Sequence, residues 1–368
     1  MKILHVVGAR PNFMKTAPIM VAMARQPGAF EQVLVHTGQH YDHNMSRVFF
    51  DDLAMPEPDE FLNIGSGSHA EQTARIMLAF EPVLLKYRPD WVMVVGDVNS
   101  TLACALVCAK LGVPVAHVEA GLRSGDRSMP EEINRIVVDQ LADLLFTPSR
   151  DADANLLREG VSPEQICFVG NVMIDSLVRL LPIASTRTTM ADLGLAPQGY
   201  CLATLHRPSN VDDLATLAEI ARGLLHISRT LPVIFAVHPR TRARLAGLDI
   251  AWGDSQVQLV EPLGYLDFLN LLQAARLVLT DSGGIQEETT YLGVPCLTAR
   301  PSTERPITIE LGTNRLVASR AEPIVAAVEQ ALMASKNSHT RPELWDGAAA
   351  ERITSVILGH KAYSGFAQ

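Results

Sequence analysis

The sequence predicts an α/β protein built from two Rossmann-like domains around a central cleft, and three observations predict it. At 368 residues with 48% hydrophobic content, the chain is too long for one ordinary core and apolar enough to bury two. Short β-branched runs alternate with longer helical stretches along its length. One plan is also written twice, in "VVGDVNSTLACALVCAKLGVPVAHV" and "VLTDSGGIQEETTYLGVPCLTA": apolar strand, Asp (Asp97, Asp281), small turn residues, helix, then Leu-Gly-Val-Pro into the next strand.

The strands are "ILHVV", "QVLVHT", "WVMVV", "PVAHV", "LLFT" and "ICFV", then "YCLATL", "PVIFAV", "VQLV" and "RLVLT". Their hydrophobicity is continuous, not alternating, which means burial on both faces and hence parallel sheets covered by helices. Gly112 and Gly293 fit a left-handed helix stop, and Pro114 and Pro295 enforce an extended restart. The pattern changes within "VGNVMIDSLVRLLPIASTRTTMADLGL", so a boundary is expected at residue 170, giving domains 1–170 and 171–354. The last helix, about 355–368, is expected to cross back onto the first domain.

Charge removes several function classes. There are 31 basic and 40 acidic residues, a net charge of −9, and no Lys or Arg run. That argues against non-specific nucleic-acid binding and a polybasic membrane patch, but leaves room for an anionic small molecule held by local cations. "MKILHVVGAR" breaks its apolar run with His5, Gly8 and Arg10, so it reads as a strand and turn, not a signal peptide. No apolar run approaches the roughly 20 residues of a membrane span. Five scattered cysteines in apolar contexts suggest a reduced, cytoplasmic chain. Cys104 and Cys108 share a helical face, but their neighbours Ala105, Leu106 and Val107 favour core packing over metal ligation. No metal or cofactor is expected.

Open α/β sheets bind ligands at the carboxyl ends of their strands, so the loops there carry the functional signal. "GARPNFMK" is not G-x-G-x-x-G, which leaves a nicotinamide dinucleotide unindicated. Gly8 permits a tight turn, and Arg10 and Lys15 place two cations near a helix N-terminus; an exposed turn with ordinary surface cations fits equally. In "TDSGGIQEE", Ser282, Gly283 and Gly284 would let backbone amides approach an anion at the positive end of a helix. Glu287 is expected to offset the helix dipole, and Glu288 to reach the vicinal hydroxyls of a ribose. Asp97, Glu119, Glu131 and Glu132 form an acidic group beside Arg123 and Arg135. Asp97 and Glu119 close successive strands, so they should lie together and acquire shifted pKa values. "LHRPSN" brings His206 and Arg207 to the end of the second domain's first strand, facing that group. Acid and base groups with a phosphate site describe a nucleotide-sugar enzyme better than a binding module.

Ten segments, "GARPNFMK", "TGQH", "VVGDVNST", "HVEAGLRSGD", "MPEEINR", "VGN", "LHRPSN", "TDSGGIQEE", "LGVPCL" and "TERP", together resemble the non-hydrolysing UDP-N-acetylglucosamine 2-epimerases, in order from residue 3 to about 317. The resemblance implies a glycosyltransferase-B-like fold, a homodimer, and interconversion of UDP-GlcNAc and UDP-ManNAc through elimination of UDP to a glycal and its re-addition. It also implies Asp97, Glu119, Glu131 and His206 as the catalytic set, with Asp97 and Glu131 acting at C2, Glu119 orienting the sugar and His206 assisting diphosphate departure. Arg10, Lys15, Ser282, Gly283 and Gly284 match phosphate positions, Glu288 the ribose position, Arg305 another ligand position, Phe268 an aromatic near the uracil, and His238 a motif histidine of open role. The partner implied is a UDP-sugar, with no nucleic acid and no membrane.

Two departures matter. Leu263 stands where many members have Gln in the uracil segment. "TGQHYDHNMSRVFF" places Tyr41, Asp42, His43 and Asn44 where allosterically activated bacterial enzymes read Gln-His-Arg-Glu-Met, so no activation by UDP-GlcNAc is expected. The same departure keeps open a 2-epimerase of UDP-2,3-diacetamido-2,3-dideoxyglucuronate and, as a different class, a transferase on the same fold.

Overall fold

The computed structural model describes residues 1–38, 53, 55–248, 250, 252–253, 255–333 and 340–360. The chain divides into two units, Met1–Arg179 with Glu343–Gln368, and Leu180–Pro342.

The first unit holds β1 (Lys2–Val7), β2 (Glu31–His36), β3 (Glu60–Phe61), β4 (Trp91–Val95), β5 (Val115–Val118), β6 (Leu144–Thr147) and β7 (Ile166–Phe168). All its pairings are parallel, in the order β3-β2-β1-β4-β5-β6-β7. Burial on both faces explains the continuous apolar runs. Leu4, Val6, Val92 and Val94 enter one core with Ile76, Cys104 and Cys108. Ile3, Met93 and Val95 enter the opposite core with Ile19 and Met23 of the helix Arg10–Ala24 and Ile353 and Ile357 of the helix Ala349–Gly359. Cys104 and Cys108 are core residues, and burial pushes both thiols up.

The second unit repeats the plan with β8 (Cys201–Thr204), β9 (Val233–Ala236), β10 (Val257–Val260), β11 (Leu277–Thr280), β12 (Cys296–Ala299) and β13 (Asn314–Val317), again all parallel, in the order β10-β9-β8-β11-β12-β13. The two copies of the repeated plan occupy matching places, β4 to β5 and β11 to β12. Their helices end on Gly112 (φ +68°) and Gly293 (φ +73°), whose amides close on Cys108 O and Thr289 O. In both sheets the order reverses between the first and fourth strands, and the crevice at such a switch point is where an open α/β sheet takes its ligand.

The units meet at Arg179–Leu180, inside the helix Val172–Ala184. The expected boundary, residue 170, is the glycine just ahead of that helix (φ +87°). The returning segment is fixed by polar contacts within the first unit: Trp345 Nε1 donates to Pro148 O at 2.9 Å, and Asp175 accepts from the amides of Ala349 and Ala350 at 3.2 and 2.6 Å, satisfying the first turn of the last helix.

Burial raises the Asp175 carboxyl to about 6, against the two amides that lower it. A folded pKa above the unfolded one favours the protonated native state, so this contribution is complete below pH ~4 and lost as the pH rises through 6. Wild type should therefore lose stability relative to Asp175→Asn across that window. Denaturant titrations of both proteins between pH 4 and 7 measure it; a pH-independent difference contradicts it.

Candidate functional site

In the first unit the site hangs from three neighbouring strand ends. After β1, Gly8 and Ala9 donate to Asn12 Oδ1 at 3.1 and 3.0 Å, and Asn12 Nδ2 donates to Val95 O at 2.8 Å, tying this loop to the end of β4. Gly8 is needed for close approach, not for the tight turn expected of it: a Cβ there would lie 2.2 Å from Ser100 Oγ and 2.9 Å from Thr37 Oγ1. Arg10 opens the helix Arg10–Ala24, with its side chain outside the description. Lys15 is buried, and its ammonium pairs with Glu119 Oε2, not with solvent where a phosphate would find it.

Asp97 and Glu119 do follow adjacent strands, in the register Val95 against Val118. Each has its own cation. Asp97 Oδ2 accepts from Arg135 Nη2, and Glu119 from Lys15. Glu119 sits at φ +71°, left-handed and rare for a non-glycine residue, while its amide and that of Ala120 both donate to Phe146 O. Such a conformation costs of order 1–3 kcal/mol and persists where the surroundings over-determine it.

Glu131 and Glu132 lie in the first turn of the helix Pro130–Leu141, where acids offset the helix dipole. They then diverge. Glu132 is buried and organises the preceding loop, accepting from Ser124 N, Ser124 Oγ and Gly125 N at 3.0, 2.9 and 2.9 Å and from Arg135 Nη1 at 2.7 Å. Glu131 instead lines a cavity of about 330 Å³ with His69, Gln72, Asn99 and Asn134. Asn134 Nδ2 donates to Asp97 O at 2.8 Å, so the cavity adjoins the Asp97 turn. The structure thus brings Asp97, Glu119 and Glu131 to the carboxyl end of one sheet.

In the second unit Asp281, fully buried at the end of β11, accepts from His206 N, Arg207 N and Asn210 Nδ2 and lies 2.9 Å from His206 Nδ1. Burial alone would raise its carboxyl, but the His206 ring and these donors hold it below the usual range. Asp281 thereby orients His206, whose side chain is 59% exposed. The sequence had shown Asp281 only as a repeat of Asp97; its place at the end of the fourth strand of the second sheet was the signal for a role.

Ser282 caps the helix Gly283–Leu292, and a Cβ on Gly283 would lie 2.5 Å from Arg305 Nη1 and 2.9 Å from Glu304 Oε1. A guanidinium against the positive end of a helix is unfavourable unless carboxylates or a bound anion answer it. Glu304 does so, meeting Arg300 at 2.7 Å, Arg305 closely and Arg207 at 4.0 Å. Glu287 is the second answering group, and this corrects its expected role: it is buried and receives Arg305 Nε at 2.7 Å instead of offsetting the dipole at the surface. Arg207, Arg300 and Arg305 are answered by Glu304 and Glu287, and Asp281 lies just ahead of the helix, so it is the helix N-terminus itself, with its free amides, that suits an anion.

Glu288, also buried, accepts from Tyr265 OH at 2.8 Å, and burial raises it to about 7. Phe268 is half-buried one turn beyond Tyr265 on the helix Tyr265–Ala274, and Leu263 precedes that helix. His238 is the exposed N-cap of the helix Pro239–Ala246, where its Nδ1 accepts from Arg240 N at 3.3 Å. The segment carrying Tyr41, Asp42, His43 and Asn44 lies outside the described residues. Among the described residues no three His, Cys, Asp or Glu side chains converge as a metal site, and no helix is long and apolar enough to cross a membrane.

A model of the UDP-N-acetylglucosamine 2-epimerase family matches residues 22–358. The chain belongs to that family. It is accordingly an isomerase with two Rossmann-like domains of the glycosyltransferase-B kind. It is 42% identical over 365 residues to the UDP-N-acetylglucosamine 2-epimerase of Methanocaldococcus jannaschii, covering 97% of this chain and 99% of that one. It is 43% identical over 362 residues to the UDP-2,3-diacetamido-2,3-dideoxy-D-glucuronate 2-epimerase of Pseudomonas aeruginosa, covering 97% and 99%. A crystal structure of the M. jannaschii UDP-GlcNAc 2-epimerase in complex with UDP-GlcNAc and UDP superposes with a TM-score of 0.90 at 43% identity, covering 98% of this chain and 100% of that one.

The Arg305–Glu287 pair is nearly dry, with side chains 9% and 1% exposed. Breaking such a pair from one side leaves a buried charge uncompensated, typically at about 3–5 kcal/mol. Glu287→Ala should lower the thermal midpoint accordingly, whereas a surface dipole contribution would change it by only ~0.3–1 kcal/mol equivalent. Calorimetric melts distinguish the two.

Proposed function

We propose that this epimerase interconverts UDP-GlcNAc and UDP-ManNAc by eliminating UDP to an unsaturated glycal and adding it back after inversion at C2. The observation that carries the reading is the strand-end constellation of the first unit: Asp97 and Glu119, each fixed by its own cation, beside Glu131 in a cavity lined by polar side chains. The C2 proton of the sugar is not adjacent to a carbonyl, so its removal must be coupled to loss of the C1 substituent. A carboxylate takes the C2 proton, the C–H electrons form the C1–C2 double bond, and the C1–O pair leaves with UDP. Return of UDP to C1 and of a proton to the other face of C2 completes the inversion.

Asp97 and Glu131 are the acid/base groups in this reading, Glu119 orients the sugar hydroxyls, and His206, held by Asp281, assists departure of the diphosphate. Arg10, Ser282, Gly283, Gly284 and Arg305 take the phosphates, which the positive end of the helix Gly283–Leu292 supports. Lys15 acts through Glu119, the group its ammonium touches. Glu288 takes the ribose, Phe268 stacks near the uracil, and His238 completes the substrate side as a helix cap. A homodimer follows from the family resemblance, and a cytoplasmic location from it and from five cysteines free of disulfides.

A second reading has a specific support. The P. aeruginosa relative, whose name specifies a diacetamido-dideoxyglucuronate, is as similar as the M. jannaschii enzyme. Incubation with UDP-GlcNAc and UDP-2,3-diacetamido-2,3-dideoxyglucuronate in deuterated water decides between them: deuterium at C2 with epimer formation is expected from UDP-GlcNAc. Exchange with the glucuronate alone would select the second reading, and exchange with neither would leave a transferase.

The division of labour gives a separate expectation. Glu288→Gln removes the ionised acceptor for a ribose hydroxyl, a bond worth about 1.5–3 kcal/mol. UDP affinity by calorimetry should fall ~10–100-fold, while turnover at saturating substrate persists. Lost turnover with unchanged affinity would place Glu288 in the chemistry instead.

A further inference from the structure

We infer that His117 and Asp139 are positioning residues for the reaction, holding in register the two strand-end turns that carry Asp97 and Glu119. The inference rests on the epimerase reading above. His117 projects from β5 into the core, where its side chain and that of Asp139 are fully buried. Its Nε2 lies 2.8 Å from Gly96 O and its Nδ1 lies 2.6 Å from Asp139 Oδ1. A carbonyl oxygen can only accept, so Nε2 carries a proton and donates to Gly96; the contact between Nδ1 and the carboxylate holds a second one. The other carboxylate oxygen of Asp139 accepts from Gly121 N at 3.0 Å and meets Arg123 Nη1 at 2.7 Å.

The chain of contacts therefore runs from Gly96, through one imidazole and one carboxylate, to Gly121. Gly96 immediately precedes Asp97, and Gly121 follows Glu119 by two residues. Gly96, Glu119 and Gly121 all adopt positive φ, at +69°, +71° and +80°. Of the three, only Glu119 bears the cost of a left-handed non-glycine residue, the two glycines reaching that region freely, and the buried pair is a side-chain bridge joining its turn to the one before Asp97. Local helix or sheet hydrogen bonding does not require it: the first turn already closes on β5 through Gly96 N and Val118 O at 3.0 Å. What the bridge adds is a fixed distance between the turns. Nothing in it reaches the cavity beside Glu131, so neither residue is assigned contact with the sugar.

The experiment uses the full-length enzyme with His117→Gln and Asp139→Asn. It records kcat, KM, C2 deuterium incorporation, UDP affinity by calorimetry and the melting midpoint. His117→Gln cannot span both partners, and displacement of reacting groups by about 1 Å can cost ~10²-fold, so its kcat and C2 exchange should fall by that order. KM and UDP affinity, which belong to the second unit in the proposed division, should stay within about twofold. In Asp139→Asn the amide can still accept from Gly121 and donate to Nδ1, leaving the neutral imidazole to donate to Gly96; kcat should fall, but by less than in His117→Gln. Should His117→Gln fail to fold, the kcat loss of Asp139→Asn at unchanged UDP affinity carries the test. Unchanged kcat in the folded variants, or equal losses of kcat and UDP affinity, overturns the inference. Absence of C2 exchange in the unsubstituted enzyme overturns the epimerase reading itself, and is seen before any variant is made.

Discussion

The parallel pairing of the first and fourth strands in each sheet is the constraint on which the proposed site depends. Where β1 lies against β4, and β8 against β11, the chain leaves in opposite directions, so the loops above these strand ends open apart and leave their backbone groups available. Asn12 ties the β1 loop to Val95 in the first unit, and Asp281 ties the β8 loop to the end of β11 in the second. Each unit thus spends one buried polar side chain on its switch point. Arg10, Asp97, His206 and Ser282 sit at or within two residues of these ties, on loops whose anchors are strands of two buried cores.

The two units solve opposite electrostatic problems with the same device. In the first, strand-end carboxylates are set by cations, Lys15 for Glu119 and Arg135 for Asp97. In the second, arginines are set by carboxylates, Glu304 and Glu287. Desolvation makes each partner costly alone, and removal of one strands the other, so such pairs fix geometry more than they add stability. Gly283 shows how tight this packing is: only a residue without Cβ lets Arg305 and Glu304 approach the helix end. Glu288 is the exception. Its hydroxyl partner Tyr265 lowers its pKa less than burial raises it, to about 7.

Much of the fold was legible because two-sided burial leaves an unmistakable mark. "WVMVV" and "LVLT" are entirely buried, and their continuous apolar runs announced parallel sheets. β13 was missed for the same reason in reverse: "NRLV" sits at a sheet edge with Arg315 exposed, so its sequence carries no core signature. β3, two half-buried residues at the other edge, offered still less. Strand-end acids could be read as a group because alternation of strands and helices places every such loop on one side of a sheet. Which cation each acid holds could not be read, since Lys15 and Glu119 are 104 residues apart and meet only through the order β1-β4-β5.

The same limit explains why the expected dipole role of Glu287 did not hold while its neighbour Glu288 has a different environment. Adjacent residues on a helix point about 100° apart, so neighbours in sequence need not share an environment. One carboxylate turns to the guanidinium of Arg305 and the other to the hydroxyl of Tyr265. Neither lies in the first turn of the helix Gly283–Leu292, and the identity of the group across each face decides its environment. The first partner lies 18 residues downstream and the second 23 residues upstream. A charged residue's position in a helix is therefore a poor guide to role until the tertiary partner on its own face is known, and Glu131 and Glu132 repeat the lesson: one lines the cavity, while its neighbour holds the loop that precedes it.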